Sequence, residues 1–245
     1  MHRRLVTLML ACLAAPAVAF DGQFSGELKL ASDYLFRGID RTDGPALQGE
    51  LDYLAQGGAY AGVWASNAGA VGGSEVDTFA GYGRTITVHD LYPVRVDAGV
   101  VGYLFTGDEQ SSAGRHKLDF AEAFAGARLG PASLKLLISP SYANTGAVAA
   151  AIRGALHWPL IGALKLSVEA GVNVGEGVRE YTARVTQGGR GRNYLDYSTL
   201  LEYALPADFE VAAGVVGTTL DLGDGHDRNG SQPHYLIELG KHFDF

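Results

Sequence analysis

Charged side chains fall at alternate positions in several stretches of this chain. In FSGELKLASDYLFRG, Glu27, Lys29, Asp33 and Arg37 share one parity, while Leu28, Leu30, Tyr34 and Phe36 share the other. YPVRVDAGVVGYLF sets Arg95 and Asp97 against Val94, Val96 and Val100, and LKLSVEAGVNV sets Lys165, Ser167 and Glu169 against Leu164, Leu166 and Val168. A row of carboxylate, ammonium and guanidinium groups can hold or pass small ions and polar solutes, and needs no bond-making machinery to do so. The polar parity class comprises Glu27, Lys29, Asp33, Arg37, Glu50, Asp52, Glu75, Asp77, Arg95, Asp97, Lys135, Arg153, Lys165, Glu169, Asp196, Glu202 and Glu238. Acids outnumber bases in that set, which leans a water-filled path weakly toward cations. The other use of the same residues is to pair across neighbouring strands and fill an interior. Asp33 and Arg37 suit a constriction or a loop tether, and Arg37 suits equally a latch to a carboxylate.

Bond-breaking chemistry finds little support. His157 has the polar parity, His226 is flanked by Asp224 and Asp227, and His116 stands near a strand start. Hydrolysis would need one of them beside a hydroxyl and a carboxylate in one cavity, and no G-x-S-x-G elbow accompanies them. DLGDGHDRNG has acidic spacing but lacks the ordered ligands and terminal Glu of an EF-hand. QGGRGRN follows no strand-to-helix step, so it is not a phosphate cradle. The chain is therefore not expected to be an enzyme, and no metal or cofactor is expected. A net charge of -8 without a basic patch argues against nucleic acid.

The elements that carry these rows have a period of two, which is that of a strand with one wet and one apolar side. About twelve such segments begin near residues 24, 46, 59, 75, 93, 117, 132, 147, 163, 194, 209 and 233. Two break strict alternation: Asp119 and Glu122 fall on opposite faces, and Tyr60 and Trp64 share the face of Gly62. The connections alternate in length. QGG, VHDLY, GP, WPLIG and LPAD are short, whereas RGIDRTDGP, NAGAVGGS, TGDEQSSAGRH, residues 175–193 and LGDGHDRNGSQ are long, with ANTG the modest member of that class. Short turns at one end and long loops at the other predict an all-β fold: a transmembrane antiparallel up-and-down barrel with both termini periplasmic. The 175–193 loop is long enough to fold inward and narrow the lumen. Its Arg184, Arg190 and Arg192 suit anions at the mouth or lipopolysaccharide phosphates.

Residues 1–19 read as a secretory signal peptide: a basic start, an apolar run from about Leu5 to Ala15, and Ala17-Val18-Ala19 before the cut. The run falls short of the roughly 20 apolar residues of a spanning helix. Residues 20–245 then form the barrel. Its single cysteine, Cys12, lies in the signal, so disulfides play no part in the mature chain. Aromatics predict two interfacial girdles: Tyr34, Phe36, Trp64, Tyr103, Phe105, Tyr194 and Tyr197 by the long loops, and Phe24, Tyr60, Tyr92, Trp158, Tyr203, Phe243 and Phe245 by the short turns. The final strand, YLIELGKHFDF, puts Tyr235, Ile237, Leu239, Phe243 and Phe245 on one face. Phe243 and Phe245 suit the terminal signal read by barrel-insertion machinery, and Lys241 interrupts the face near the rim, where it can snorkel.

ASDYLFRGIDRTDGPALQGELDY, followed by YAGVWASN and VDTFAGYG, resembles the Gcw_chp family, also called TorF-family porins. The matching positions are Ser32, Asp33, Tyr34, Phe36, Arg37, Gly38 and Ile39, then Pro45 to Gly49, then Gly62, Trp64, Ser66 and Asn67. The resemblance implies a bacterial outer-membrane barrel of the porin kind and no particular substrate. Together these features lead to an outer-membrane channel for passive diffusion of small polar or ionic solutes. Outer-membrane lipid and lipopolysaccharide would surround it, and a homo-oligomer is left open. A closed structural or adhesive barrel and an outer-membrane hydrolase are the alternatives.

Overall fold

The structure, a computed structural model, describes residues 21–42, 44–69, 73–89, 91–111, 114–186, 189–221 and 233–245. The signal segment and His226 lie outside the described residues. Twelve long strands close into one antiparallel barrel. They are β1 (Gly22–Ala31), β4 (Ala46–Ala55), β5 (Ala59–Ala68), β6 (Gly73–Val88), β7 (Tyr92–Phe105), β10 (Phe120–Leu129), β11 (Ala132–Ser139), β12 (Ala149–Pro159), β13 (Leu164–Gly175), β14 (Tyr194–Leu205), β15 (Phe209–Thr218) and β16 (His234–Asp244). Two small hairpins, β2 (Leu35–Phe36) with β3 (Ile39–Asp40) and β8 (Glu109–Ser111) with β9 (Gly114–His116), belong to the long loops. Each long strand pairs with its chain neighbour, and β1 closes the ring on β16 from Ser25↔Asp244 to Ala31↔Glu238. The closure runs to the end of the chain, since the Phe245 amide donates to the Phe24 carbonyl at 3.0 Å. A closed ring leaves no strand edge unpaired, the condition for backbone to cross hydrocarbon.

The apolar parity class faces outward. Leu30 is 54% exposed, Ile237 61% and Leu136 50%, an apolar belt that would cost roughly 2 kcal/mol per side chain if it met water. The alternation read in the sequence therefore sorts residues between lipid and lumen, and the twelve strand starts fall close to their expected positions. Glu122 obeys the rule after all, because β10 begins at Phe120 and Asp119 precedes it, where it accepts the Phe105 amide at 2.8 Å. Lys241, outward by parity, bends to the β14–β15 turn and donates to the Ala207 carbonyl at 2.6 Å, with its ammonium over the rings of Phe209 and Phe243. A charge on the lipid face is tolerated there because it reaches the polar rim.

The buried core lies inside the barrel at its long-loop end. It has two parts, one built around Tyr103, Phe105, Leu118, Phe120, Tyr142 and Tyr181, the other around Tyr34, Ala46, Val216 and Leu236. This corrects the expected girdle by the long loops. Tyr34, Tyr103, Phe105 and Tyr194 are buried, and Phe36 and Trp64 pack against them from inside; of that group only Tyr197 faces out. The girdle by the short turns holds for Phe24, against which Tyr53 packs, and for Tyr92, Trp158, Tyr203 and the stacked pair Phe243–Phe245, whereas Tyr60 points inward and donates to Asp97 Oδ2 at 3.1 Å. Residues 176–185, expected to be loop, form α1 (Glu176–Val185). Its Val178, Tyr181, Thr182 and Val185 recur at helical spacing and are buried against the core, which is what holds so short a helix together.

Candidate functional site

The lumen has two levels. At the long-loop end, the segment after β1 folds back into the barrel as the β2–β3 hairpin, whose two-residue turn is Arg37-Gly38. Both residues are left-handed, at φ 52 and φ 76. Glycine suits such a turn, but an arginine there costs on the order of 1 kcal/mol of backbone strain. The side chain offsets that cost. Its Nη2 lies 2.5 Å from Glu122 Oε2, and Nη1 donates to Asn173 Oδ1 at 3.4 Å, so the hairpin tip is tied to β10 and β13 on the opposite side. The guanidinium also lies over the rings of Phe36 and Tyr142, at 5.0 and 5.5 Å. Burial opposes its charge, but Tyr142 and Glu122 outweigh burial and hold the guanidinium above its ordinary range. Gly38 has no room for a side chain, since a Cβ would stand 2.6 Å from the Gly217 carbonyl oxygen.

Arg41 makes the second tie. It is 2% exposed, donates to the Tyr181 hydroxyl at 2.9 Å and lies against the rings of Phe36, Phe105 and Tyr181. Asp33 is a loop tether: its Oδ1 accepts the Tyr34 amide at 2.9 Å and the Thr42 hydroxyl at 2.8 Å. Burial and the charge of Glu75 raise the Tyr34 phenol well above its ordinary pKa. Asp77 stands beside Glu75 on β6 at this level, facing inward. Loop hairpin, α1 and the strand aromatics thus fill the outer lumen as one apolar plug pinned by two arginines. Arg184, expected at the mouth, donates to the Ala143 carbonyl at 3.3 Å; Arg190 and Arg192 are exposed.

Below the plug lies a cavity of about 800 Å³. Arg37, Phe36 and Tyr103 form its roof, and Glu50, Asp52, Arg95, Asp97, Arg153 and Glu169 stand on its wall. Arg128 and Lys135 join them; the first was missed in the sequence because β10 opens on the irregular Asp119–Glu122 stretch. Other inward charges pair with one another. Lys29 sits 3.6 Å from Glu27 and 3.8 Å from Glu238, and Arg153 makes a two-pronged contact with Asp196 at 2.8 and 3.1 Å. Lys165 pairs with Glu202. His157 Nδ1 lies 2.8 Å from Ser167 Oγ, and Glu202 stands near the same hydroxyl. The residues missed altogether as functional were Glu122, Asn173, Arg41 and Tyr181. One signal for them was present: Ile39 is an apolar residue inside RGIDRTDGP, a connection expected to be polar. Among the described residues no cluster of three metal-ligating side chains occurs.

Solved structures of similar shape include porins. A KdgM porin in complex with disordered oligogalacturonate is 8% identical, with a TM-score of 0.54 over 90% of this chain and 99% of that one. A NanC porin is 10% identical, with a TM-score of 0.53 over 88% of this chain and 97% of that one. At such identities the likeness concerns the fold alone. No curated protein matches the chain by sequence. Residues 14–230 match the family described as "Bacterial protein of unknown function (Gcw_chp)". That match spans most of the chain, which therefore belongs to the Gcw_chp family.

Proposed function

We propose that the chain is an outer-membrane, porin-like channel that passes small polar or ionic solutes by diffusion and is gated by the plug at its long-loop end. The observation that carries this reading is a cavity of about 800 Å³, lined by charged side chains, inside a barrel whose outside is apolar. Twelve strands make a ring wider than the eight-stranded barrels whose interiors side chains fill, so room for an aqueous path remains below the plug. The long-loop end then lies outside the cell, and the termini in the periplasm. Phe243 and Phe245 supply the terminal insertion signal, and the exposed Arg190 and Arg192 reach lipopolysaccharide phosphates. The acid excess of the whole polar parity class favours cations weakly, although the cavity lining, with Arg37 of the roof included, carries five bases and four acids.

Planar-bilayer recording tests the reading. Purified protein should give discrete conductance steps, rare in the wild type and frequent when the Arg37–Glu122 tie is broken. The plug favours one competing reading, a closed structural barrel, and silence of both proteins would establish it. The His157–Ser167 contact brings a histidine, a hydroxyl and a carboxylate together, as a hydrolase would need. Ser167, however, is 4% exposed and lies within paired strands whose amides are engaged in the sheet, so it lacks free donors for an oxyanion.

A further inference from the structure

The cavity wall places like charges directly opposite one another on neighbouring strands. Arg95 of β7 faces Arg128 of β10, and Lys135 of β11 faces Arg153 of β12. Like charges in direct cross-strand register destabilise a sheet, so two such pairs side by side are a cost that folding alone does not explain. Among the described residues, Arg153 finds carboxylates in Asp196 and Glu169, while Arg95, Arg128 and Lys135 form no ion pair. Lys135 instead stands 4.7 Å from the centre of the Phe124 ring. These four cations occupy four consecutive strands.

The mirror image stands across the lumen. Glu27 of β1 directly faces Glu50 of β4, with Asp52 two residues along β4, and Glu238 and Glu210 follow on β16 and β15. Among the described residues, Lys29 is the one lysine or arginine pointing inward from that wall. In a ring of twelve, a strand and the sixth strand from it are diametrically opposed. From the strand order, β12 opposes β4, β11 opposes β1, β10 opposes β16 and β7 opposes β15. Every basic strand thus looks across at an acidic one, and because Asp97 stands two residues from Arg95 and Glu169 lies 3.8 Å from Arg153, the uninterrupted part of the basic wall is Arg128 and Lys135. Glu50 and Asp52 border the same cavity as Arg95, Arg128, Lys135 and Arg153, so the two signs share one solvent space.

We infer that the lumen selects small zwitterions, solutes with an ammonium and a carboxylate on one short frame, by orienting them across this charge-separated cavity. A monovalent ion of either sign is drawn to one wall and gains nothing from the other. A zwitterion turned with its carboxylate to Arg95, Arg128 and Lys135 and its ammonium to Glu50 and Asp52 engages both. Arg95 and Arg128 are exposed and sit close to the short turns, which keeps the basic wall in contact with solvent from that end. This inference rests on the channel reading and names its substrate class.

The test compares glycine with its uncharged isomer glycolamide in osmotic swelling of liposomes that contain the purified protein, in the wild type and in Glu122→Gln. Glycine should enter about threefold faster than glycolamide, the scale of one solvent-exposed ion pair. Arg128→Gln with Lys135→Gln should bring the ratio to one, as should Glu50→Gln with Asp52→Asn from the opposite wall, so a folding failure in either pair leaves the other to report. Equal rates for glycine and glycolamide in proteins without wall substitutions would overturn the inference and leave the channel intact. Entry of neither solute, even with Glu122→Gln, would overturn the channel reading and this inference with it.

Discussion

Glu122→Gln is the perturbation with the largest consequence. Glu122 is 1% exposed at its side chain and Arg37 5%, at 2.5 Å. Glutamine keeps the size of glutamate but removes the charge, leaving a buried guanidinium with Asn173, the Phe36 and Tyr142 faces and the Tyr103 region around it. Breaking one side of a buried pair costs about 3–5 kcal/mol. The Arg37 backbone adds strain on the order of 1 kcal/mol that the tie no longer repays. Against this, the hairpin retains the burial of Ile39 and Phe36, roughly 2 kcal/mol each. A loss of 3–5 kcal/mol shifts the closed-to-open ratio by about two to nearly four orders of magnitude. The barrel should persist, because its ladder hydrogen bonds do not pass through the hairpin. Single-channel recording should show openings that are brief and rare in the wild type become frequent, with gel migration of the folded barrel unchanged on omission of heating. Arg37→Met in the Glu122→Gln background should restore closure, since an apolar replacement of a buried pair is often neutral or stabilising. Wild-type gating in Glu122→Gln would refute the latch, as would a double variant that stays as open as the single one.

Other expectations follow from the same geometry. Gly38→Ala drives a Cβ to within 2.6 Å of the Gly217 carbonyl at a positive φ, so it should release the plug as Glu122→Gln does, read by the same recordings. Ile237→Arg places a cation on the lipid face and should cost about 2–4 kcal/mol in urea unfolding from vesicles. Leu236, its buried neighbour, should instead report on the plug. Lys241→Ala loses an exposed rim contact and should change that stability by less than about 1 kcal/mol. The Tyr34 phenol has its pKa raised in the folded plug by burial, so its contribution is full below the unfolded pKa near 10 and declines as pH rises above it. Opening frequency should therefore climb as pH rises above about 10, read by the same recordings.

The alternation of charged and apolar residues by itself determined the barrel, its twelve strands and which side chains face oil. Parity is a local property: a strand has two faces, and Leu28 or Ile237 must lie on the one that Glu27 or Glu238 does not. The same rule already held the correction to the girdle by the long loops, for Tyr103 and Phe105 share the parity of Arg95 and Asp97, and Tyr194 that of Asp196. Position near a strand end misled because an aromatic at the rim of a barrel can meet lipid or an inward-folded loop with equal ease. Tertiary structure alone decided which of these occurred. Arg37 finds Glu122 across 85 residues and Asn173 across 136, and the two charged walls oppose only after twelve strands close. Contacts between residues so far apart in the chain depend on ring closure and loop direction, which no spacing within a single segment encodes.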